Sequence, residues 1–487
     1  MLTASDGFRS IGEAQKAISG GKTTVKAIVE QCLKNIEELD PKLNALTAIN
    51  KQAVEDAEKL DRLDSAQRGP LFGIPVLVKD QIETAGIATA FGSKACKTYI
   101  PEKDATLVFK LKNAGAVVLG KTTMPDWAAS WFSTSSLSET TKNPHDLTRD
   151  PGGSSSGSGA GVAAGLAIAA IGGDTGGSIR LPSSFCGLVG VRVTPGRISR
   201  NGMSALVQPQ DTPGPMTHTV EDAARILDVI VGFDESDPET SVNAISPLGK
   251  SATPFQDAIA QPSLEGRRLG VLRQAFGTNE GVLRVLDSTL KTLQDSGATL
   301  VDVEISDLEH YKTFTSLYVT RSKSDINDFL AARSELAHLK IEELHASGQY
   351  HKALDLMNAF VKGPSSYMHD THYARQLTEQ TKFQRMVASI YAKSELDAII
   401  YPTCQLLAPK TKDILNYRHT CLGYPTNTVI GSQLLFPAAS VPVGMAKDHE
   451  HPDDPELPVG LEILGLPLRE ESLMAVAAGV EAACKRT

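Results

Sequence analysis

Residues 152–180 read GGSSSGSGAGVAAGLAIAAIGGDTGGSIR, two dense glycine and serine clusters on either side of a small, apolar stretch. Glycine loses more conformational entropy on folding than any other residue, so such clusters in a largely apolar chain need a physical reason. One reason is a set of backbone N–H groups aligned around developing negative charge, with a serine hydroxyl beside them. A flexible linker does not explain the segment, because residues 160–171 have the composition of a buried helix.

The bulk composition is that of a large globular protein with a mild acidic charge. The chain has 487 residues, of which 41% are hydrophobic and 22% are charged, and its formal net charge is -9. This length allows one very large domain or two to three ordinary ones, with ample core. We expect no nucleic-acid partner, because no basic footprint is present.

Several sequence features favour a cytoplasmic protein that does not bind a membrane. Residues 1–21 lack the apolar run of a signal peptide, and the longest apolar stretch, 160–171, is too short and glycine-rich to span a bilayer. The six cysteines are scattered without CxxC spacing. This pattern predicts a reducing compartment, with neither a disulfide framework nor a zinc site.

The order of hydrophobic patterns predicts an α/β protein with a largely buried sheet. Residues 10–63 have a helical pattern, with a helix that begins at Thr23 or Thr24 and ends at Asp40-Pro41. The run FGIPVLV at 72–78 is short, apolar and typical of a buried strand that leads into Lys79. The same reasoning predicts further helices at 104–114, 220–231, 281–296 and much of 308–390, and strands at 116–119, 268–273, 299–303, 398–401, 438–441 and 460–464. No linker divides the chain.

Two familiar motifs match the sequence but not their usual structural context. GAVVLGKT at 115–122 fits the P-loop pattern, yet Ala-Val-Val-Leu favours a strand and Pro125 disfavours a helix directly afterwards. Lys121 is therefore interpreted as a structural residue at a strand end. GSSSG at 153–157 fits the nucleophile elbow of α/β-hydrolases, but turn sequence rather than a strand precedes it.

A different set of motifs accounts for the segment quoted first. The matching stretches are GIPVLVKD at 73–80, the approach from Asn143-Pro144 to Arg149-Asp150-Pro151-Gly152-Gly153-Ser154-Ser155, and GDTGGSIR at 173–180, with support from GKT at 120–122, PGR at 195–197, SVPVG at 440–444 and PVGL at 458–461. With these motifs the chain resembles the amidase signature family from about residue 10 to its C-terminus. The resemblance implies one α/β domain over 1–487, with a central mixed sheet of about eleven strands between helical layers. Its signature core would cover about 70–220, and a variable helical pocket region about 308–390.

The resemblance also implies a set of site residues. Ser178 would be the nucleophile, Ser154 a bridging serine after a cis peptide bond, and Lys79 the base, which burial at the end of an apolar strand would keep neutral. The oxyanion hole would use the N–H groups of Thr175, Gly176, Gly177 and Ser178. Supporting positions are Ser155, Asp174 and Arg180, and Met124 and Trp127 are candidates for substrate binding that could equally be core.

The predicted activity is hydrolysis of a carboxylic amide through an acyl-enzyme, with no cofactor and no metal. One alternative is the glutaminase subunit of a tRNA-dependent amidotransferase, which would require partner subunits. Another is an esterase or a fatty-acid amide hydrolase-like activity. A homodimer is compatible with the resemblance, and the sequence leaves the substrate open.

Overall fold

The computed structural model of the protein describes residues 1–246, 248–249 and 251–485. The strands are Leu46–Ile49 (β1), Pro75–Lys79 (β2), Val117–Thr122 (β3), Ala169–Asp174 (β4), Val189–Arg192 (β5), Thr212–Thr217 (β6), Arg268–Val271 (β7), Thr299–Asp302 (β8), Ala398–Pro402 (β9), Ala438–Ala446 (β10) and Leu457–Leu464 (β11). The helices are Ile11–Ser19 (α1), Val25–Leu43 (α2), Ala53–Asp61 (α3), Thr106–Asn113 (α4), Ser156–Ala164 (α5), Arg180–Cys186 (α6), Val220–Ile230 (α7), Val242–Ile245 (α8), Pro254–Ile259 (α9), Glu280–Asp295 (α10), Leu308–Phe314 (α11), Tyr318–Ala331 (α12), Ile341–Ala346 (α13), Asp355–Phe360 (α14), Tyr373–Ser394 (α15), Thr411–Leu415 (α16), Val429–Leu434 (α17) and Glu470–Cys484 (α18).

In the described part of the chain, eleven strands form one mixed sheet in the order β1-β3-β2-β4-β6-β5-β10-β11-β9-β7-β8. This confirms the predicted fold class and strand number. β2 runs parallel to both β3 and β4, and its five residues are all buried. Since the carboxyl ends of parallel strands meet at the same edge, Lys79 at the end of β2 and Asp174 at the end of β4 are brought to one side of the sheet.

The glycine-rich segment folds as a helix followed by a strand. The stretch at 160–171, predicted to be a buried helix, is divided: α5 ends at Ala164, Gly165 adopts a left-handed conformation, and β4 begins at Ala169. A continuous apolar run of small residues fits a buried helix and a buried strand equally well, which explains the error. Ser154 and Ser155 directly precede α5, and Ser178 lies between β4 and α6.

The predicted α2 begins where expected but ends later. Thr24 is its N-cap, and its hydroxyl accepts from the N–H of Ala27 at 3.1 Å. The helix passes Pro41 and ends at Leu43, and its C-cap Asn44 is left-handed and donates its N–H to the Asp40 carbonyl at 2.7 Å. A proline in the last turn removes few helical hydrogen bonds, so it does not end the helix. Residues 46–49, predicted to be helical with the rest of 10–63, instead form edge strand β1.

The two rejected motifs have the structural contexts that the sequence indicated. β3 includes Lys121, so the P-loop match is a strand and not a phosphate-binding loop. The buried Lys121 donates to the carbonyl of Ile82, and to Thr84 Oγ1 at 3.0 Å. Residues 150–152, directly before the GSSSG match, lie outside the strands.

The close pairing of β1 with β3 depends on Gly120, because a Cβ on this residue would overlap the carbonyl oxygen of Ala48. We expect Gly120→Ala to lower the free energy of unfolding by about 1–3 kcal/mol, the usual cost of overpacking. Gly12→Ala is the matched control, because its Cβ would meet nothing closer than 3.7 Å within α1. The control should be neutral or stabilising by up to about 1 kcal/mol. Urea denaturation of the three proteins makes the comparison, and equal midpoints would contradict it.

Candidate active site

Lys79 is the last residue of β2, and its side chain is completely buried. Its Nζ donates to Ser154 Oγ at 2.8 Å and to the carbonyl of Gly173 at 3.1 Å. Both contacts are to uncharged oxygens. Burial lowers the pKa of Lys79 to about 7, and the negative charges of Asp174 and Asp211 oppose this effect only in part. A substantial fraction of this amine is therefore neutral near pH 7.

Ser154 is buried beside Lys79, and the peptide bond before it is cis. The next residue links the two serine-bearing segments, because the Ser155 N–H donates to the carbonyl of Ser178 at 3.1 Å. Ser155 Oγ also accepts from the N–H of Gly173 and lies 3.2 Å from its carbonyl oxygen. That carbonyl oxygen is the one that accepts from Lys79. Ser155 therefore supports the lysine through Gly173.

The loop that carries Ser178 is closely covered by two side chains from distant parts of the chain. A Cβ on Gly176 would clash with the phenolic oxygen of Tyr318. Gly177 has a φ of +130°, and a Cβ there would overlap Thr428. Thr428 Oγ1 also donates to the carbonyl of Gly176 at 2.7 Å. These two contacts, together with the positive φ, require the glycine pair predicted from the sequence.

The four predicted oxyanion donors are not equivalent in the structure. The Gly177 N–H donates to a carboxylate oxygen of Asp174 at 2.9 Å, so this donor is already occupied. The Thr175 hydroxyl donates to the Asp211 carboxylate, which orients the first residue of the loop. The backbone N–H groups of Thr175, Gly176 and Ser178 are the remaining candidates.

Asp174 is buried between two arginines. Arg180 donates to both carboxylate oxygens at 3.1 Å, and Arg192 Nη1 donates to Oδ1 at 2.9 Å. Although burial acts to raise it, these guanidinium groups hold the pKa of Asp174 well below its usual range. Arg180 also donates to Glu462 and, at 2.7 Å, to Ser432 Oγ. The predicted supporting residues Asp174 and Arg180 thus form one buried ionic network.

The structure adds four residues to this site that sequence motifs did not assign to it: Arg192, Asp211, Tyr318 and Thr428. Each lies outside the glycine-rich segment: Arg192 is on β5, Asp211 directly precedes β6, Tyr318 begins α12 and Thr428 directly precedes α17. No local motif marks them, so only the tertiary structure could identify them.

Met124 and Trp127, the candidates for substrate binding, lie in the packed interior. Met124 is fully buried and Trp127 is 1% exposed. The Trp127 ring stacks on Phe91 with 5.3 Å between centroids, and Phe329 packs edge-on against the same Phe91. These contacts favour the core interpretation for both residues.

The described residues contain no group of three or more histidine, cysteine, aspartate or glutamate side chains placed to hold a metal ion. Within the same residues, the helices are all too short or too polar to cross a bilayer.

Comparison with known proteins identifies the family. The family model named Amidase matches residues 27–474. The glutamyl-tRNA(Gln) amidotransferase A subunit of Oleidesulfovibrio alaskensis is 32% identical over 501 residues, with 98% of each chain covered. The chain therefore belongs to the amidase family, which confirms the resemblance seen in the sequence.

Two solved structures share this fold over almost their whole length. The peptide amidase from Stenotrophomonas maltophilia is 29% identical with a TM-score of 0.84, covering 98% of this chain and 97% of that one. The glutamyl-tRNA(Gln) amidotransferase A subunit from Thermotoga maritima is 28% identical with a TM-score of 0.76, covering 99% and 96%. The prediction of an amide-hydrolysing enzyme is confirmed at the level of the family.

The buried network around Asp174 gives a stability prediction. Asp174→Asn leaves the buried guanidinium of Arg192 without a carboxylate partner and leaves Arg180 with Glu462 alone, which should lower the free energy of unfolding by about 3–5 kcal/mol. Asp302→Asn is the matched control, because it breaks the exposed pair with Arg273 and should cost at most about 1 kcal/mol. Denaturant titration under identical conditions measures both, and equal losses would contradict the assignment.

Proposed function

We propose that the protein is a serine amide hydrolase in which Lys79, Ser154 and Ser178 relay a proton during attack on a carboxylic amide. One observation carries this proposal. A lysine that is completely buried, with a pKa of about 7, lies 2.8 Å from a buried serine hydroxyl. An ordinary lysine is protonated at neutral pH, whereas this one is poised to act as a base.

In the acylation step, neutral Lys79 accepts the proton of Ser154, and Ser154 accepts the proton of Ser178. Ser178 Oγ then forms a bond to the carbonyl carbon, and the carbonyl π electrons move onto the oxygen. Collapse of the tetrahedral intermediate breaks the C–N bond. Ser154 supplies the proton to the leaving nitrogen and regains one from the Lys79 ammonium. Water then attacks the acyl-enzyme with the same relay, releasing the acid and restoring Ser178.

The loop before Ser178 would stabilise the negative oxygen of the intermediate. The proposed donors are the N–H groups of Thr175, Gly176 and Ser178, because Gly177 already donates to Asp174. Tyr318 and Thr428 pack directly against this loop, and these contacts restrict its movement. Preorganised donors of this kind are each worth about 10²–10³-fold in rate.

A stand-alone hydrolase is the first candidate. The greater structural similarity to the peptide amidase than to the Thermotoga maritima amidotransferase chain supports it. A glutaminase subunit is the second candidate, supported by the high coverage of the Oleidesulfovibrio alaskensis relative. Esters are also expected to react, since they form the same acyl-enzyme with a better leaving group. This chemistry needs no cofactor.

We also propose a cytoplasmic location. Cys32, Cys96, Cys186, Cys404 and Cys421 are buried thiols outside any disulfide, a state that a reducing compartment maintains. A homodimer stays a prediction.

The nucleophile can be tested by labelling and by turnover. We expect a fluorophosphonate to add one label to the wild-type protein and none to Ser178→Ala, with activity reduced at least about 10³-fold because the covalent path is lost. Intact mass and hydrolysis of an anilide, simple primary amides and glutamine are the measurements. Ser156→Ala is the control, because Ser156 belongs to α5 outside the proposed relay. Substantial turnover by Ser178→Ala would contradict the proposal, and glutamine as the one productive substrate would favour the glutaminase candidate.

The lysine base gives a pH prediction. Since the neutral amine is active and its pKa is lowered to about 7, kcat/KM should rise with pH and level off above about 8. At pH 6 only about a tenth of the sites would be active. Glu462 also has a pKa raised to about 7 by burial, so Glu462→Gln is the control. The inflection should stay near 7 in this variant, whatever its absolute rate, and a flat wild-type profile down to pH 5 would exclude a lysine base.

A further inference from the structure

A cavity of about 320 Å³ lies beside the proposed catalytic loops. One wall is the segment 200–211, and the opposite wall is helix α12. The volume is that of a small-molecule site, sufficient for an extended substituent several atoms long.

The 200–211 wall is attached to both halves of the proposed site. Gln81, two residues after Lys79, donates its Nε2 to the carbonyl of Ser204 at 2.8 Å. Asp211 accepts a hydrogen bond from the hydroxyl of Thr175, the first residue of the proposed oxyanion loop. The cavity is therefore next to the place where the scissile amide must bind.

Helix α12 runs from that place along the cavity. Its first residue, Tyr318, covers Gly176, while Arg321, Asp325 and Asp328 farther along the helix line the cavity. At 1.5 Å per residue, Asp328 lies about 15 Å along the helix axis from Tyr318. In an extended peptide this span corresponds to about four residues.

The charges of the lining are unbalanced. Arg321 is paired with Asp325 at 2.9 Å, and Arg200 is paired with Asp237 at 3.5 Å. The two other aspartates of the lining are Asp211 and Asp328, and within the described chain neither forms an ion pair with a cationic side chain.

Hydrogen bonds do not remove this excess of negative charge. Asp211 is held by the Thr175 hydroxyl and by the N–H groups of Leu206 and Val207, all of which are neutral donors. Ser204 Oγ, in a residue only 1% exposed, has no hydrogen-bond partner among the described residues, and Ser204 lines the same cavity. The cavity therefore offers two carboxylates without an ion-pair partner in the described part of the chain and a further acceptor, the chemistry that a cation requires.

From this placement we infer that the cavity binds a cationic group on the acyl part of the substrate. This group would lie up to about 15 Å, or about four extended residues, from the scissile carbonyl. This inference rests on the proposed amide hydrolysis and specifies its substrate class: amides of basic acyl groups, such as peptide amides with a lysine or arginine up to three residues before the terminal residue. Asp328, which is exposed at the far end of the cavity, is the specificity-determining residue for the most distant position.

The test compares three probes, acetyl-Xaa-Ala-Ala-Phe-amide with Xaa as lysine, norleucine or glutamate, by ammonia release at low ionic strength. The wild type should prefer lysine over norleucine by about 2–5-fold, the range of an exposed ion pair, and should disfavour glutamate. The preference should shrink in 0.5 M salt because the charges are screened. For a probe that binds without turnover, its inhibition constant against anilide hydrolysis replaces kcat/KM in the comparison of the three probes.

The variants locate the effect. Asp328→Asn should bring the lysine-to-norleucine ratio of kcat/KM close to one, and Asp328→Lys should reverse the order of the lysine and glutamate probes. Asp287→Asn removes an exposed helical carboxylate from α10, away from the cavity lining, and should leave the ratio at its wild-type value.

The results separate this inference from the proposed function. Equal values for the three probes, a preference for glutamate, or a ratio unchanged by Asp328→Asn would overturn the cation subsite while amide hydrolysis stood. Absence of turnover with every amide, including the anilide, would instead contradict the proposed function.

Discussion

The proposed chemistry depends on keeping the Lys79 amine neutral in the interior of the protein. Burial at the end of β2 provides the driving force, but the negative charge of Asp174 works against it. Arg180 and Arg192 bind that carboxylate from both sides and offset its field. The ionic network therefore has a second role, because it allows the Asp174 carboxylate to hold the proposed oxyanion loop while limiting how far its charge favours the protonated form of Lys79.

The sheet explains how residues so far apart in sequence meet. Parallel pairing of β2 and β4 brings Lys79 and Gly173 to the same edge, where the glycine carbonyl accepts from the lysine. The segments before α5 and α6 then carry Ser154 and Ser178 to that edge, joined by the Ser155 backbone hydrogen bond. Small residues are needed here because the covering side chains lie directly against the backbone of these segments. A Cβ on Gly176 would overlap Tyr318, and one on Gly177 would overlap Thr428.

The sequence was sufficient to predict the fold class, and it singled out the residues of the local motifs, whose catalytic roles stay a proposal. Lys79, Ser154 and Ser178 each lie in a short segment whose composition is distinctive, and the structure joins the first two directly. Arg192 and Thr428 could not be predicted, because their roles come from contacts with segments distant in sequence and not from their neighbours in the chain. The division of 160–171 into α5 and β4 was missed for a different reason, since alanine-rich apolar runs have no period that separates a helix from a strand.

Helix α12 contacts the proposed oxyanion loop with its first residue and lines the neighbouring cavity with residues farther along. A rigid helix transmits a shift at one end to the other. A bulky substitution that tilts the later turns would thus move Tyr318 against Gly176, whereas one that leaves the axis in place would change only what the cavity accepts. Attempts to redesign the substrate range should therefore preserve the volume of the buried α12 side chains and vary the charge of the exposed ones.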